Sequence, residues 1–161
     1  MPNGQTIERS SRRDKCNLFI LKTMIARSEI LFSLASKKLI DDNVLIDSQN
    51  LLRIKKDPIG ISYIIAPWNY PLLCVVGAMI PSILCGNPVL LKHSPRTPIT
   101  GNHFEEAFKS TGATNVVQHL FLKNADVHEV YKAKEVRSFI NPKFRLGLLD
   151  LQVQLKLDLQ C

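Results

Sequence analysis

Ile64-Ile65-Ala66-Pro67-Trp68-Asn69-Tyr70-Pro71 is the stretch whose reading decides the fold. An apolar, strand-like run breaks there at a proline-bracketed turn that carries an aromatic ring and an amide. A helix-length apolar segment follows, Leu72 to Cys85, then Gly86-Asn87, then a second run, Pro88-Val89-Leu90-Leu91-Lys92. A strand, a functionalised turn, a buried helix and a strand ending in lysine make the layout of a ligand-binding βαβ unit.

Working outward, Ile59 to Ala66 is rich in β-branched residues and apolar on both faces except at Ser62 and Tyr63, as a buried parallel strand reads. Residues 1–15 are polar and expected to be loose. From Leu18 to Ala35 apolar residues recur at steps of three and four, which predicts an amphipathic helix ending near Lys37-Lys38. Asp41-Asp42-Asn43 reads as a turn, Leu51 to Lys56 as an extended arm, and Asp57-Pro58 as the start of the next element. Downstream, Thr97 is expected to cap a helix with Pro98 at its first position, and Gly112 to close it. Val116 to Leu122 reads as a third strand, Ala125 to Lys132 as a short helix and Glu135 to Ile140 as a fourth strand. The fold class is therefore α/β: a partial Rossmann-like parallel sheet with flanking helices, preceded by an amphipathic N-terminal helix. Three regions are expected: an N-terminal helix and arm (1–56), a partial parallel-sheet domain (57–140) and an atypical tail (141–161). In the tail, apolar and polar residues alternate strictly from Leu149 to Gln160, which predicts an amphipathic strand. Such a strand is foreign to a parallel core. It reads as appended, as translated out-of-frame sequence or as an edge or oligomer strand, and without a covered partner it would promote self-association.

Composition narrows the function classes. The net charge is +7, yet residues 1–56 hold 11 of the 21 Lys and Arg, so no basic stripe forms and no aromatics interleave with one. No nucleic-acid role is expected. Cys16, Cys74, Cys85 and Cys161 lack metal-ligand spacing, and His93, His103, His119 and His128 are scattered, so no metal site is expected. Lys22, Arg27 and Glu29 interrupt the apolar part of 17–35, and Leu72 to Cys85 is too short to span a bilayer. The expectation is a cytoplasmic chain with reduced thiols and no membrane partner. G-x-G-x-x-G, the P-loop, G-x-S-x-G and H-E-x-x-H are all missing.

The stretch Asp57 to Pro98, "DPIGISYIIAPWNYPLL" followed by "IPSILCGNPVLLKHSPRTP", closely resembles the cofactor-binding domain of the aldehyde dehydrogenase superfamily, in its succinate-semialdehyde dehydrogenase-like branch. The P-W-N-[FY]-P turn, the I-P-x-x-x-x-G-N helix end and the L-K-x-S-x-x-T-P join stand in order and at family-like intervals. The similarity covers roughly residues 45–140. It implies NAD or NADP as cofactor and a small aldehyde as the substrate of the full-length family. In that chemistry a cysteine thiolate attacks the aldehyde, an amide and a backbone N–H hold the oxyanion, hydride passes to the nucleotide, and a Glu assists hydrolysis of the thioester.

Carried over residue by residue, Asn69 matches the oxyanion-holding amide. A neutral donor suits that task because it meets developing negative charge without titrating; by itself the residue fits a turn-former equally well. Lys92 matches the lysine set on the adenosine ribose, against the plain alternative of a solvated surface lysine. Ile65, Ala66, Pro67 and Trp68 match the segment lining the cofactor pocket, and core packing would also explain Trp68. Pro95 stands where many NAD-preferring members carry a ribose-binding Glu, and its neighbour is Arg96.

Two further departures bear on activity. The family continues its fourth strand into F-T-G-S-x-x-x-G, whereas this chain reads Phe139-Ile140-Asn141-Pro142. That removes the backbone approach and hydroxyl used for pyrophosphate. The catalytic Cys and Glu belong beyond residue 140, and Cys161 sits on an unrelated tail. The expectation is a truncated cofactor-domain half, weak or deficient in nucleotide binding and inactive alone. The rival readings are a pseudoenzyme or interaction partner pairing with a full-length relative in a homo- or hetero-oligomer, a frame-disrupted product, and a stand-alone nucleotide-binding module.

Overall fold

Strand β3, Ile61–Ile65, is the centre of the molecule. The computed structural model describes residues 4–46, 51–140 and 153–160, with side-chain surroundings for 17–41 and 54–140. β3 is flanked by β4, Val89–Lys92, and by β6, Val136–Ile140, and β5, Val117–His119, adds to the far side of β4. All three pairings are parallel, in the order β5-β4-β3-β6. Counted from β3, that is the 3-2-1-4 arrangement of a dinucleotide-binding half, and the order reverses between β3 and β6. The α/β reading and each of its four core strands are thus found in place.

Helix α2, Pro71–Leu84, crosses from β3 to β4. Val75, Val76, Met79 and Ile80 are buried with Ile64, Val89, Leu91 and Val117 in one core cluster. Each fully buried aliphatic side chain of this kind contributes about 1.5–3 kcal/mol. The helix closes as expected. Gly86 has φ +79. Its N–H donates to the Ile83 carbonyl at 2.9 Å, and the Asn87 N–H donates to Ser82 at 2.9 Å, the paired bonds of a Schellman end. The buried Asn87 side chain then accepts from the N–H groups of Ile59 (2.8 Å) and Gly60 (3.0 Å), which ties the entry of β3 to the entry of β4.

Helix α3, Pro98–Ser110, carries β4 to β5, and Gly112 ends it with φ +85 and a second pair of Schellman bonds, to Lys109 and Phe108. Thr97 is the N-cap residue, but its side chain caps nothing. Its hydroxyl instead lies 2.9 Å from His93 Nδ1. The Ser94 N–H also donates to that nitrogen, at 3.1 Å, so the ring's proton sits on Nε2, which faces the Pro71 carbonyl at 3.4 Å. His93 therefore joins the end of β4 to the starts of both helices. Burial holds its pKa below the usual histidine range. His119, at the end of β5, is likewise buried with a lowered pKa, because desolvation outweighs the Glu105 carboxylate. Its ring packs over Gly101 so closely that a Cβ there would lie 2.3 Å from it.

After β5, a 3₁₀ turn (Asn124–Asp126) and helix α4, Val127–Lys132, lead to β6. Tyr131 of α4 meets Phe139 edge-on at 5.7 Å, and Phe139 lies 5.9 Å from Tyr63. This covers the face of β3 opposite the α2 cluster.

The N-terminal half departs from expectation. Helix α1 runs Gly4–Lys38, 35 residues, so residues 4–15 are helical rather than loose. No Gly or Pro interrupts the run after Gly4, and its Gln, Glu, Arg and Lys are good helix formers. Leu31 and Ala35 are buried, and Arg27 lies against Gly77 of α2, where a Cβ would come 3.3 Å from its guanidinium. Asp42 and Asn43 do not turn the chain; they open β1, Asp42–Ile46. The arm is β2, Leu51–Pro58, and Pro58 closes that strand rather than starting the next element.

The period-two reading of the tail holds at Val153–Gln160, which forms β7. It is not without a partner. All eight of its residues pair antiparallel with β2, from Val153 opposite Pro58 to Gln160 opposite Leu51, in a second sheet ordered β1-β2-β7. Asn141-Pro142 and residues up to 152 lie outside the described residues.

Two expectations follow for stability. Gly112→Ala meets open space and carries only the left-handed backbone penalty, about 1 kcal/mol. Gly86→Ala adds a Cβ 2.7 Å from Pro58 Cγ, so its denaturant midpoint should fall further, by about 2–3 kcal/mol in all. If both variants lose equally, the Pro58 contact is not tight. The second expectation concerns pH. His93 and His119 have folded pKa values below their unfolded ones, so unfolding takes up protons. Their contribution is complete above about pH 6.5 and is lost as pH falls below it toward the folded values. Urea midpoints should therefore decline between about pH 7.5 and about 5.5, before carboxylates titrate, whereas a flat profile would show that neither ring is held neutral.

Candidate functional site

Open parallel sheets bind ligands beyond the carboxyl ends of their strands, at the point where strand order reverses. Here that point lies past Ile65, between β3 and β6. The chain leaving β3 is the Pro67-Trp68-Asn69-Tyr70 turn.

The turn is shaped by one unusual residue. Tyr70 is the sole described non-glycine with positive φ (+49), and it is the N-cap of α2, directly before Pro71. A bulky residue in the left-handed region is strained, and such strain gathers where geometry must be held. Pro71 fixes the next φ and starts the helix. The result is a sharp exit that leaves Trp68, Asn69 and Tyr70 exposed at the sheet edge, while Ala66 stays buried and donates its N–H to the Lys92 carbonyl at 2.9 Å. Among the described residues, no hydrogen bond engages the Asn69 side-chain amide; its backbone carbonyl faces Cys74 Sγ at 3.7 Å.

Lys92 is the larger surprise. It pairs with Ile65 in register and is only 2% exposed, which the surface alternative did not anticipate. Its Nζ donates to Asn124 Oδ1 at 2.6 Å. Burial lowers the Lys92 pKa. An ammonium has three donors, and Asn124 takes one of them. The β4–α3 loop that follows carries Pro95 and Arg96, both exposed, and Arg96 folds back over the Trp68 ring at 5.2 Å from its centroid. Such an exposed cation–π contact is worth about 0.5–1 kcal/mol.

The structure thus brings Ile65, Ala66, Pro67, Trp68, Asn69, Lys92 and Pro95 to one edge of one sheet, on two adjacent turns. Sequence reasoning missed His93, which locks those turns together, and Asn124, which holds the Lys92 ammonium. His93 follows Lys92 directly, so a histidine leaving a buried strand was a usable signal. Nothing local marks Asn124. A depression of about 330 Å³, lined by Ile61, Pro88, Val89 and Glu105 among others, opens near the amino ends of β3 and β4, away from this edge. Among the described residues, no cluster of three His, Cys, Asp or Glu is placed to hold a metal ion.

Comparison with known proteins bears on the family and the fold. Omega-crystallin of the octopus Enteroctopus dofleini is 36% identical over 84 residues, half of this chain and 17% of its own length. Succinate-semialdehyde dehydrogenase [NADP(+)] of Deinococcus radiodurans is 40% identical over 74 residues, 45% of this chain and 16% of its own length. The chain therefore matches less than a fifth of these relatives. Among solved structures, succinic semialdehyde dehydrogenase from Streptococcus pyogenes, in complex with NADP+, superposes with a TM-score of 0.62 at 25% identity, covering 70% of this chain and 25% of that one. Residues 17–138 match the aldehyde dehydrogenase family, and the chain belongs to it.

Proposed function

We propose that this chain supplies the nicotinamide-nucleotide-binding part of an NAD(P)-dependent aldehyde oxidoreductase. The observations that support this most are the buried Lys92 ammonium at the end of β4 and the exposed Asn69 amide in the turn after β3, both at the carboxyl edge of the sheet. A nucleotide fits the donor set. Lys92 would use its remaining N–H groups on the adenosine ribose hydroxyls, with Asn124 fixing the ammonium. Ile65, Ala66, Pro67 and Trp68 would form the apolar wall, and Pro95 leaves the loop after β4 without a carboxylate. Asn69 would donate to the oxygen of a small aldehyde as negative charge grows there. The bound nucleotide would accept the hydride.

The same reading makes the 161-residue chain inactive by itself. Among the described residues, Cys74 is half-buried in α2 and Cys85 is buried. Burial raises both thiol pKa values, and Arg27 only partly offsets this at Cys74. Neither is a poised thiolate. Asn141-Pro142 in place of Gly-Ser would also weaken the hold on pyrophosphate. Free thiols suit a cytoplasmic setting, and no described helix is long and apolar enough to cross a membrane. A second reading, a non-catalytic partner of a longer family member, draws on α1, where Leu18, Phe19, Ile25, Ile30 and Phe32 are exposed. Co-purification with such a relative would favour it.

Two measurements test the main reading. The purified chain should produce no NAD(P)H from aldehydes above a protein-free control; production that Asn69→Ala abolishes would overturn the claim of inactivity. Calorimetry should show nucleotide binding weaker than about 10 μM, that is under roughly 7 kcal/mol. Lys92→Met should weaken it by at least about tenfold, equal to 1.4 kcal/mol. A low-micromolar or tighter constant would show that the missing Gly-Ser pair is dispensable.

A further inference from the structure

We infer that His93 is a proton-operated latch on the carboxyl edge of the sheet. As a neutral ring it holds the β4–α3 loop to the start of α2; on taking up a proton at Nδ1 it lets that loop go. The latch belongs to the chain itself and does not depend on which ligand the edge binds.

Three observations carry it. The first is that the loop hangs from one nitrogen. The Ser94 N–H donates to His93 Nδ1 at 3.1 Å, and the Thr97 hydroxyl lies 2.9 Å from the same atom. Ser94 in turn organises the loop: its Oγ accepts from the Arg96 N–H at 3.3 Å and its carbonyl from the Thr97 N–H at 2.9 Å. The other ring nitrogen, Nε2, faces the Pro71 carbonyl at 3.4 Å, which anchors the ring on α2. A proton on Nδ1 leaves that anchor in place and turns an acceptor into a donor. The Thr97 hydroxyl can rotate to accept from it. The Ser94 N–H is fixed in the backbone, so it would face another N–H and lose its partner.

The second is the charge around the ring, which is 3% exposed. Lys92 precedes it on β4 and His119 acts on it from β5, and both oppose a positive charge there. From α2 it meets the Pro71 carbonyl and from the start of α3 the Thr97 hydroxyl, neither of them a charge. The first carboxylate of α3, Glu105, is committed to the His119 N–H at 2.9 Å and to Lys109 at 2.6 Å. Among the described residues, no carboxylate acts on His93. An imidazolium held in place is thus a buried charge without a counter-ion, and moving the loop aside to admit water relieves it.

The third is what the loop carries. Pro95 and Arg96 are exposed, and Arg96 reaches back over Trp68 in the turn after β3, 5.2 Å from its ring centroid. An exposed cation–π contact is weak, so it follows the loop and does not hold it. Release therefore separates Arg96 from Trp68 and parts the two turns that bear the candidate site. Burial keeps the ring's pKa below its ordinary value, so the latch is closed at neutral pH and opens as pH falls below about 6.5. On the nucleotide-binding reading above, occupancy of this edge would fall in acid.

Trp68 is the chain's one tryptophan, so its emission reports on the loop. The test titrates the full chain, without ligand, from about pH 8 to about pH 5. It follows Trp68 fluorescence, the NMR signals of the Ser94 amide and the His93 ring nitrogens, and far-UV circular dichroism. Trp68 emission and the Ser94 amide should change together as His93 Nδ1 takes up one proton, with a midpoint below about 6.5 and no change in dichroism. His93→Asn keeps an acceptor in place of Nδ1 but cannot titrate, so both changes should vanish. His119→Asn should retain both, with the midpoint moved up, because a neighbouring positive charge is gone. Circular dichroism checks that each variant folds, and the ring-nitrogen signals of the natural chain decide the matter if one does not. A flat response in the natural chain, protonation at another residue, or a response that survives His93→Asn overturns the inference. A change that coincides with loss of dichroism overturns it too, since the chain then unfolds as a whole. Each of these outcomes leaves the nucleotide-binding reading standing.

Discussion

Strand β3 has neighbours along both edges and side chains packed on both faces, and this double enclosure constrains everything around it. Every peptide group of such a strand must find a partner within the protein, because no water reaches it. β4 and β6 supply the ladders, and Asn87 supplies acceptors for Ile59 and Gly60 just before the strand begins. One face is filled by the aliphatic cluster under α2, the other by Tyr63 against Phe139. A strand so placed can expose its chain only where it ends, and it ends at the Pro67–Tyr70 turn. The site follows from the burial of the strand that feeds it.

The carboxyl edge is held by a few polar contacts made at small distances from one another. His93 joins β4 to the starts of α2 and α3. Asn124 reaches from the β5–α4 connection to Lys92, and Arg96 bridges the β4–α3 loop to Trp68. Each links segments that are separate in sequence. Because neutral His93 and cationic Lys92 are both buried, their bonds act in a poorly screened setting, where a lost partner is costly. Tyr70 adds backbone strain at the same place, and the packed helix behind it holds that strain.

The second sheet has a different logic. β1, β2 and β7 are antiparallel, and β2 is its middle strand. The alternation of Val153 to Gln160 fits that role, since antiparallel strands commonly carry one apolar and one polar face. What looked appended to a parallel core is a strand of a separate sheet, joined to the chain ahead of β3.

Much of the fold was determined by the sequence itself. The β-branched run to Ile65, the proline-bracketed turn, the apolar helix ending at Gly86 and the strand to Lys92 each bear a local signal, because strand burial, turn chemistry and left-handed helix ends act over a few residues. Asn69, Trp68 and Lys92 carry no such local signal of a site; only the resemblance of the motifs around them singled them out. Other features were settled only in three dimensions. Whether Lys92 is buried depends on Asn124, 32 residues on. That Thr97 serves His93 rather than its own helix depends on the packing of two turns. The requirement for glycine at 101, in α3, comes from the His119 ring on β5, and the partner of β7 lies about a hundred residues earlier in the chain, a pairing whose loop-closure cost no local pattern encodes. Local sequence specified which elements form; long-range packing decided which polar groups they bring together.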